Sequence, residues 1–587
     1  MDIRGLPVYD SHVIQRSMAV HVARVVRKYK DREYVSHLLR RSYREDGKVR
    51  HETLGNISAL PERTIELIRE SLAGKNHVLA GEGFEIERSL PHGHVAAVAA
   101  QAATLGFPAI LGPACAERDL ALALVVARVC RPGSKLATTR WWTDTTLAVD
   151  LGVADASTDA VYAAMDWLGG RQASIEAALA KRHLVAGGMV LYDLSSSWME
   201  GTHCPLAARG YSRDHKSGKT QIEYGLMTDP EGRPVSVEVF AGNTADPTAF
   251  IAAVDKVRAR FGLTDVVLVG DRGMITTARI KALQQIGGLG WVTSLRAPAV
   301  AALAAADGPL QLSLFDESNL AEIAHPDYPG ERLVACRNPA LAAERTRKRA
   351  ELLAATEALL APIAASVAAG KLTGTDKIAL RVGRHVNRYK MAKHFIVDIG
   401  EHGFTYTRKT DQIAAEAALD GIYIIRTSMR AETLDAPAVV EAYKSLAGVE
   451  RNFRSLKAID LDLRPIYHRT EDRVRAHVLI CMLAAYLVWH LRRAWAPLCF
   501  TDEQRPARTD PVAPAHRSDN ALAKASHQRD ANDEVLHSFA SLLDHLATLT
   551  RNQTRFAGTP IVVLSAPTPL QRRTFDLLDT TIPLKLM

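Results

Sequence analysis

Hydrophobic positions change period along the chain. From Pro61 to about Leu184 apolar residues recur three and four apart, as in PERTIELIRESLAG, ALALVVARVC, STDAVYAAMDWLGG and QASIEAALAKRHL, which predicts a series of amphipathic helices. At Gly187 the texture turns to short apolar runs: MVLYDL, QIEYGLMT and PVSVEVF, with DPEGR as the turn between the last two. A helix beginning at Asp246-Pro247, the buried strand DVVLV, a helix over 276–286 and a strand over 289–295 follow, giving the order βββ–α–β–α–β. Residues 297–436 break that rhythm with a long charged helix over 341–369 and the strand-like runs KHFIVDI, FTYTR and GIYIIRTS. A strong helix runs from Pro437 through Lys457, another covers 472–494, and VLHSFASLLDHLATLT predicts a last amphipathic helix.

The resulting division is a basic, mostly helical region over 1–186, with Gly47 as a turn between two short strands near its start. An α/β core lies over 187–297 and resumes at 437–500, around an inserted subdomain of long helix plus strands at 298–436. A Pro-, Asp-, Arg-, Asn- and Ser-rich linker at 501–535, expected to be flexible, precedes a C-terminal helical segment at 536–587. Composition changes this little: 587 residues with 47% hydrophobic and 24% charged is a folded multidomain chain, not a disordered or collagen-like one.

Charge is more informative. Residues 1–50 carry 12 basic against 6 acidic side chains, and 451–500 carry 9 against 4, so the net +8 is concentrated in two stretches suited to a polyanion or to a solvated basic surface. The six cysteines form no CxxC pair, which signals neither zinc nor a disulfide framework and fits a reducing cytoplasm. MDIRGLPVYD lacks the pattern of a signal peptide. The apolar stretches at 96–116 and 478–489 do not read as membrane spans, and no phosphate loop of the form GxxxxGK[ST] occurs.

Three acids carry the candidate chemistry. Asp193 sits inside an apolar strand, where an unpaired carboxylate is costly unless it hydrogen-bonds in the following SSS turn or meets a cation. Asp271 follows VVLVG at the carboxyl end of a buried strand, a favoured ligand position, although Asp-Arg-Gly also suits a plain turn. Glu450 lies on the helix EAYKSLAGVERNFRSLK, where Tyr443, Arg454 and Lys457 share its face at seven, four and seven positions' distance; an exposed Glu–Arg face is the alternative. If the three acids converge at one end of the sheet they need cations, and such hard oxygen donors select Mg²⁺ or Mn²⁺, two of which could activate an attacking oxygen and stabilise a leaving one. His468, His477, Trp141, Trp142 and Trp198 are weaker candidates for DNA contact, with core packing or surface placement as their alternative.

At these residues the sequence resembles the DDE transposases of bacterial insertion sequences, in the superfamily of insertion sequence family four. The resemblance rests on VLYDLSSSWMEG, GYSRDHKSGKTQIEYGLMTDPEGRPVSVEVFAGNTAD, VVLVGDRGM and YKSLAGVERNFRSLK with the trailing RPIYHRTEDRVRAH, and more weakly on ARVCRPGSKLATTRWW and PTPLQRR. It implies a ribonuclease-H-like mixed sheet flanked by helices and interrupted by a strand-rich insertion. It also implies Asp193, Asp271 and Glu450 as ligands of two Mg²⁺ or Mn²⁺ ions, and Tyr443 and Lys457 as DNA contacts. Double-stranded DNA, both element end and target, is the implied partner, bound by a homodimer assembled on DNA in the bacterial cytoplasm at the nucleoid, with no membrane. The family's helix signature would place Arg at 446, where this chain has Leu446; Arg454, one turn beyond Glu450, could supply the missing guanidinium. An inactive DNA-binding remnant and a metal-dependent nuclease without strand joining are the competing readings.

Overall fold

The computed structural model describes residues 19–586 except 31, 46, 76, 78–83, 202, 217, 306–307, 531 and 557–558. The opening MDIRGLPVYD and the rest of residues 1–18, part of the basic N-terminal stretch, lie outside the described residues. The chain divides into two compact units, one comprising residues up to Ser89 with Asn552–Val563, the other Leu90–Arg551 with Leu564–Met587.

The first unit begins as an antiparallel meander of Ala19–Tyr29 (β1), Arg32–Glu45 (β2) and Lys48–Asn56 (β3), with Gly47 at φ 75° in the β2–β3 turn. This corrects the mostly helical reading of 1–186 for its first third. Val, Tyr and Leu interleave there with Arg and Lys, a composition that suits strands, and the meander leaves β3 almost wholly exposed. The helix Glu62–Leu72 and the strand Phe84–Pro91 (β4) follow.

In the second unit the helices from Gly93–Thr104 to Gln172–His183 match the sequence expectation, but they are not a separate domain. Their buried residues, among them Val125, Trp142 and Met165, share one hydrophobic core with the central sheet and with the helix Glu471–Ala494. The strands of that sheet and its insertion are Met189–Trp198 (β5), Gln221–Thr228 (β6), Pro234–Ala241 (β7), Val266–Val269 (β8), Leu289–Ser294 (β9), Leu320–Ile323 (β10), Arg332–Arg337 (β11), Phe395–Ile399 (β12), Phe404–Arg408 (β13) and Ile422–Thr427 (β14). The eight-stranded order is β10-β11-β14-β9-β8-β5-β6-β7. The strands β5, β8 and β9 run parallel at its centre, and the other neighbours pair antiparallel.

Three strands of the expected insertion therefore belong to the core sheet: β10, β11 and β14 extend it beyond β9, with Ile425 paired to Ser294. What remains as a subdomain is smaller. The helices Pro339–Ala368 and Thr375–Val386 and the β12–β13 hairpin enclose their own core of Leu360, Ile363, Val367, Ile378, Val382 and Phe404. The helices Pro339–Ala368 and Glu471–Ala494 are long and apolar enough to cross a bilayer; the second lies inside the main core, and the first packs its apolar residues on this small one.

Residues 501–535 are tied down rather than forming a linker. Lys444 Nζ donates to the carbonyls of Pro511, Val512 (2.9 Å) and Ala513 (3.1 Å), and Ser518 both caps the helix Asp519–His527 and bonds to Asp502. A polar composition marks disorder only where the polar groups lack fixed partners. The C-terminal segment also departs from an all-helical reading, because Thr550–Phe556 (β15) and Thr559–Leu564 (β16) join β4 in a three-stranded sheet, followed by the capped helix Pro569–Asp576.

Candidate active site

Register places the first two acids side by side. In the parallel pairing of β5 with β8, Leu191 is opposite Val269; β5 runs on through Asp193, whereas β8 ends at Val269 and Asp271 is the second residue past its end. The backbones of Leu191 and Val269 are thus one strand spacing, about 4.8 Å, apart, and both acids lie two residues beyond that pair. Val269 is also level with Val292 on β9, so Ser294 stands in the same row. Side chains two apart on a strand share a face, so Asp193 lies on the same face of β5 as the buried Leu191.

The third acid comes from across the sheet edge. Asp435 caps the helix Ala436–Lys444 by accepting from Ala438 N at 2.8 Å, and after a break at Ser445 a second helix spans Leu446–Arg454. Val449 and Phe453 are buried, Phe453 lying edge-on to Tyr224 of β6 at 5.7 Å, and Asn452 Nδ2 donates to Gly232 O at 2.7 Å. With that face pinned, Glu450 and Arg454 are exposed.

One cleft of about 1030 Å³ is lined by all six residues expected from sequence, Asp193, Asp271, Tyr443, Glu450, Arg454 and Lys457. Asp193 is half-buried and accepts from Leu194 N at 2.8 Å. Burial pushes its carboxyl up to about 7, helped by the negative charges of Asp271 and Glu450 and opposed by the Leu194 hydrogen bond and by Arg213. Asp193 is thus the acid that feels both others. Among the described residues no three His, Cys, Asp or Glu side chains gather around a single point. The donor set still fits hard cations if each ion is held by a pair of carboxylates, Asp193 being common to both pairs.

The supporting side chains are less free than the helix phase implies. Tyr443, half-buried, shares a hydrogen bond with Ser294 Oγ at 2.8 Å, and burial raises its phenol. Residues 455–459 form a π-helical turn rather than continuing the α-helix to Lys457, which breaks the seven-residue phase with Glu450. Lys457 Nζ instead donates to Asp214 Oδ1 at 2.8 Å, and Arg464 donates to the same oxygen. Burial pulls the Lys457 ammonium below its ordinary range. Leu446 packs against the core while lining the cleft.

Arg213, Asp214, Lys444 and Arg464 also line the cleft, and sequence reasoning gave them no role. Arg213 bonds Asp246 at 2.8 Å and lies 3.4 Å from the buried Glu223, whose carboxyl burial lifts to about 7. The available signal was the charged run SRDHK between two apolar strands, inside the segment that carries the resemblance.

Arg454 makes no ion pair among the described residues, so its guanidinium is available to an anion in the cleft. On the reading that the resemblance implies, Arg454→Ala is expected to lower strand cleavage about tenfold or more, Arg454→Lys to retain part of it, and Leu446→Ala to change it little, because only Arg offers a planar bidentate fork to phosphate. Cleavage rates of the purified variants at matched melting temperature check this, and a wild-type rate for Arg454→Ala refutes the relocation of the contact from position 446.

Comparison with known proteins gives two family matches. The model described as transposase DDE domain matches residues 195–487, taking in Asp271 and Glu450 and starting two residues after Asp193. The model described as IS1634 family transposase, N-terminal domain, matches residues 22–82. No curated protein matches the chain. Among solved structures, a piggyBac transposase synaptic complex with hairpin DNA is similar at 11% identity over 73% of this chain and 70% of that one, with a TM-score of 0.32.

Proposed function

From a chain that belongs to the DDE transposases of bacterial insertion sequences, we propose an enzyme that binds the ends of its element, cleaves DNA there and joins the freed 3′-hydroxyl to target DNA. The observation that carries this reading is the placement of Asp193 on β5 and of Asp271 just past the end of the adjacent parallel strand β8, with Glu450 lining the same cleft. The strand order β7-β6-β5-β8-β9 supports a ribonuclease-H-like core, since three antiparallel strands followed by two parallel ones agree with that architecture.

Asp193 with Asp271, and Asp193 with Glu450, would hold two Mg²⁺ or Mn²⁺ ions, which when bound lower the cost of charge on the attacking and leaving oxygens. The chain's own residues do the rest. Arg454 draws the scissile phosphate toward Glu450, Tyr443 orients a neighbouring phosphate through its hydroxyl, and Lys457 adds positive charge at the same wall. Both hydrolysis and strand joining are in-line attacks at phosphorus, so one site serves water and then a 3′-hydroxyl as nucleophile. The basic strands β1–β3 are the proposed end-binding surface, in a homodimer assembled on DNA at the nucleoid in the cytoplasm.

The test uses the full chain with a duplex carrying the DNA that flanks its coding region, in Mg²⁺, with products resolved by strand. Cleaved and joined strands support the transposase. Cleavage without joining makes it a nuclease, and binding without cleavage makes it an inactive remnant.

A further inference from the structure

Two segments that carry the family resemblance without an assigned role, RPGSKL at 131–136 and RPIYHR at 464–469, meet at a cavity of about 700 Å³. Arg128, Ser134, Lys135, Tyr162, His468 and His477 line it. Arg128, Lys135 and His477 are 4%, 5% and 5% exposed, so this is a buried cluster and not a solvated basic face.

The hydrogen bonds fix protonation. His477 Nε2 lies 3.1 Å from the Leu463 carbonyl and must donate to it, which leaves Nδ1 as an acceptor for Lys135 Nζ at 3.2 Å. His477 is therefore neutral, and burial holds it well below its ordinary value; burial likewise pulls His468 down to about 3. Among the described residues Arg128 places two of its guanidinium N–H donors, on the carbonyls of Gly133 (2.8 Å) and Leu461 (3.4 Å), and keeps the others for an anion. An ammonium has three N–H donors, and among the described residues Lys135 places only one of them, on His477.

Among the described residues no carboxylate pairs with these cations. The acid on the wall is Asp462, which is exposed and forms no ion pair with Arg128 or Lys135 among the described residues. Burial and the neighbouring Arg128 pull the Lys135 ammonium down to about 7. Two buried cations with no counterion are expensive, and an anion entering the cavity removes the cost.

We propose that this cavity is a phosphate-binding site in which Lys135 and Arg128 receive a backbone phosphate of the DNA strand held in the catalytic cleft. Arg464 lines both cavities, and its guanidinium is anchored on Asp214 in the catalytic cleft. A strand leaving the carboxylates thus has a second phosphate position on the far side of that arginine. The strand assignment rests on the transposase reading; the phosphate chemistry of the cavity does not.

The test compares the full wild-type chain with Lys135→Met and, where methionine disturbs packing, Lys135→Gln. The probes are inorganic phosphate in thermal melts and a flanking-sequence duplex in anisotropy titrations over a range of salt. In phosphate-free chloride buffer the variant is expected to melt higher than wild type, since it sheds a buried charge. Phosphate should raise the melting temperature of wild type and not of the variant. Duplex binding should weaken about tenfold, with the slope of log Kd against log salt shallower by about 0.9, the value of one lost phosphate contact.

Loss of phosphate stabilisation with unchanged duplex binding keeps the phosphate site and makes free phosphate its occupant, overturning the strand assignment. A variant that melts lower than wild type while responding to phosphate and duplex as wild type does shows a structural lysine and overturns the proposal. A wild-type chain that phosphate stabilises but duplex DNA does not engage overturns the transposase reading while leaving the phosphate site standing.

Discussion

Asp193→Asn, Asp271→Asn and Glu450→Gln are each expected to lower Mg²⁺-dependent strand cleavage by about a thousandfold or more while leaving duplex binding within about twofold of wild type. Each keeps the side chain's shape and removes one anionic oxygen donor, so that a hard cation loses half of its carboxylate pair. Asp193 should be the most sensitive, because it is the member common to both pairs. Its burial has a second consequence. The folded-state carboxyl sits near 7 against 3.8 in a free chain, so its contribution to stability is full below 3.8 and is lost as pH rises through about 7. In chelator at pH 8, Asp193→Asn should therefore melt above wild type, and added Mg²⁺ should stabilise wild type but not the variant. Single-turnover cleavage and paired thermal melts check both parts; cleavage at the wild-type rate by any of the three removes that residue from the catalytic set.

That pairing of inactivity with higher stability distinguishes a functional carboxylate from a structural one. A carboxylate kept for the fold, such as Glu176, which accepts from Lys256 Nζ at 3.0 Å and from Val237 N at 3.0 Å in full burial, would destabilise the chain when neutralised. Asp193 has one backbone donor and two like charges around it, an arrangement that costs stability until a cation arrives.

That Asp193, Asp271 and Glu450 line one cleft follows from features visible in the sequence: an Asp inside an apolar run, an Asp just past one, and a Glu on a strong amphipathic helix. The strands β5 to β9 were legible for the same reason, each being a short apolar run bounded by turn residues. The three outer strands β10, β11 and β14 were assigned to an insertion because what makes them part of the core is long-range pairing across the intervening helices, such as Ile425 with Ser294. Lys457 was placed by ideal helical phase, and the π-helical turn at 455–459 broke that phase; nothing in SLKAI announces the extra residue per turn. The docking of residues 501–535 was invisible because Lys444 makes it by reaching backbone carbonyls that carry no side-chain signature. The Lys135 cavity is the same lesson in chemistry, since Arg128 and Leu461, one from each half of it, are 333 residues apart in the chain and neither half reads as a site alone.

Asp214 is expected to be the most costly single residue to lose from the cleft. Its side chain is 1% exposed and takes both Lys457 and Arg464 on Oδ1, while Oδ2 has no partner among the described residues. Replacement by Ala leaves two largely buried cations facing each other without their shared counterion, a change that costs about 3–5 kcal/mol. Asn preserves the shape and one acceptor but not the charge, so Asp214→Asn should fall between Ala and wild type. Lys457→Met and Arg464→Met remove one cation each and leave the carboxylate with the other, so each should cost less than Asp214→Ala. Combined with Asp214→Ala, either should recover part of the lost stability, because the cations no longer confront one another. Denaturant melts of the singles and doubles check the order. Additive losses in the doubles would show that Asp214 does not act through this pair, and the wall carrying Lys457 would then owe its position to the packing of Leu456 and Phe453 alone.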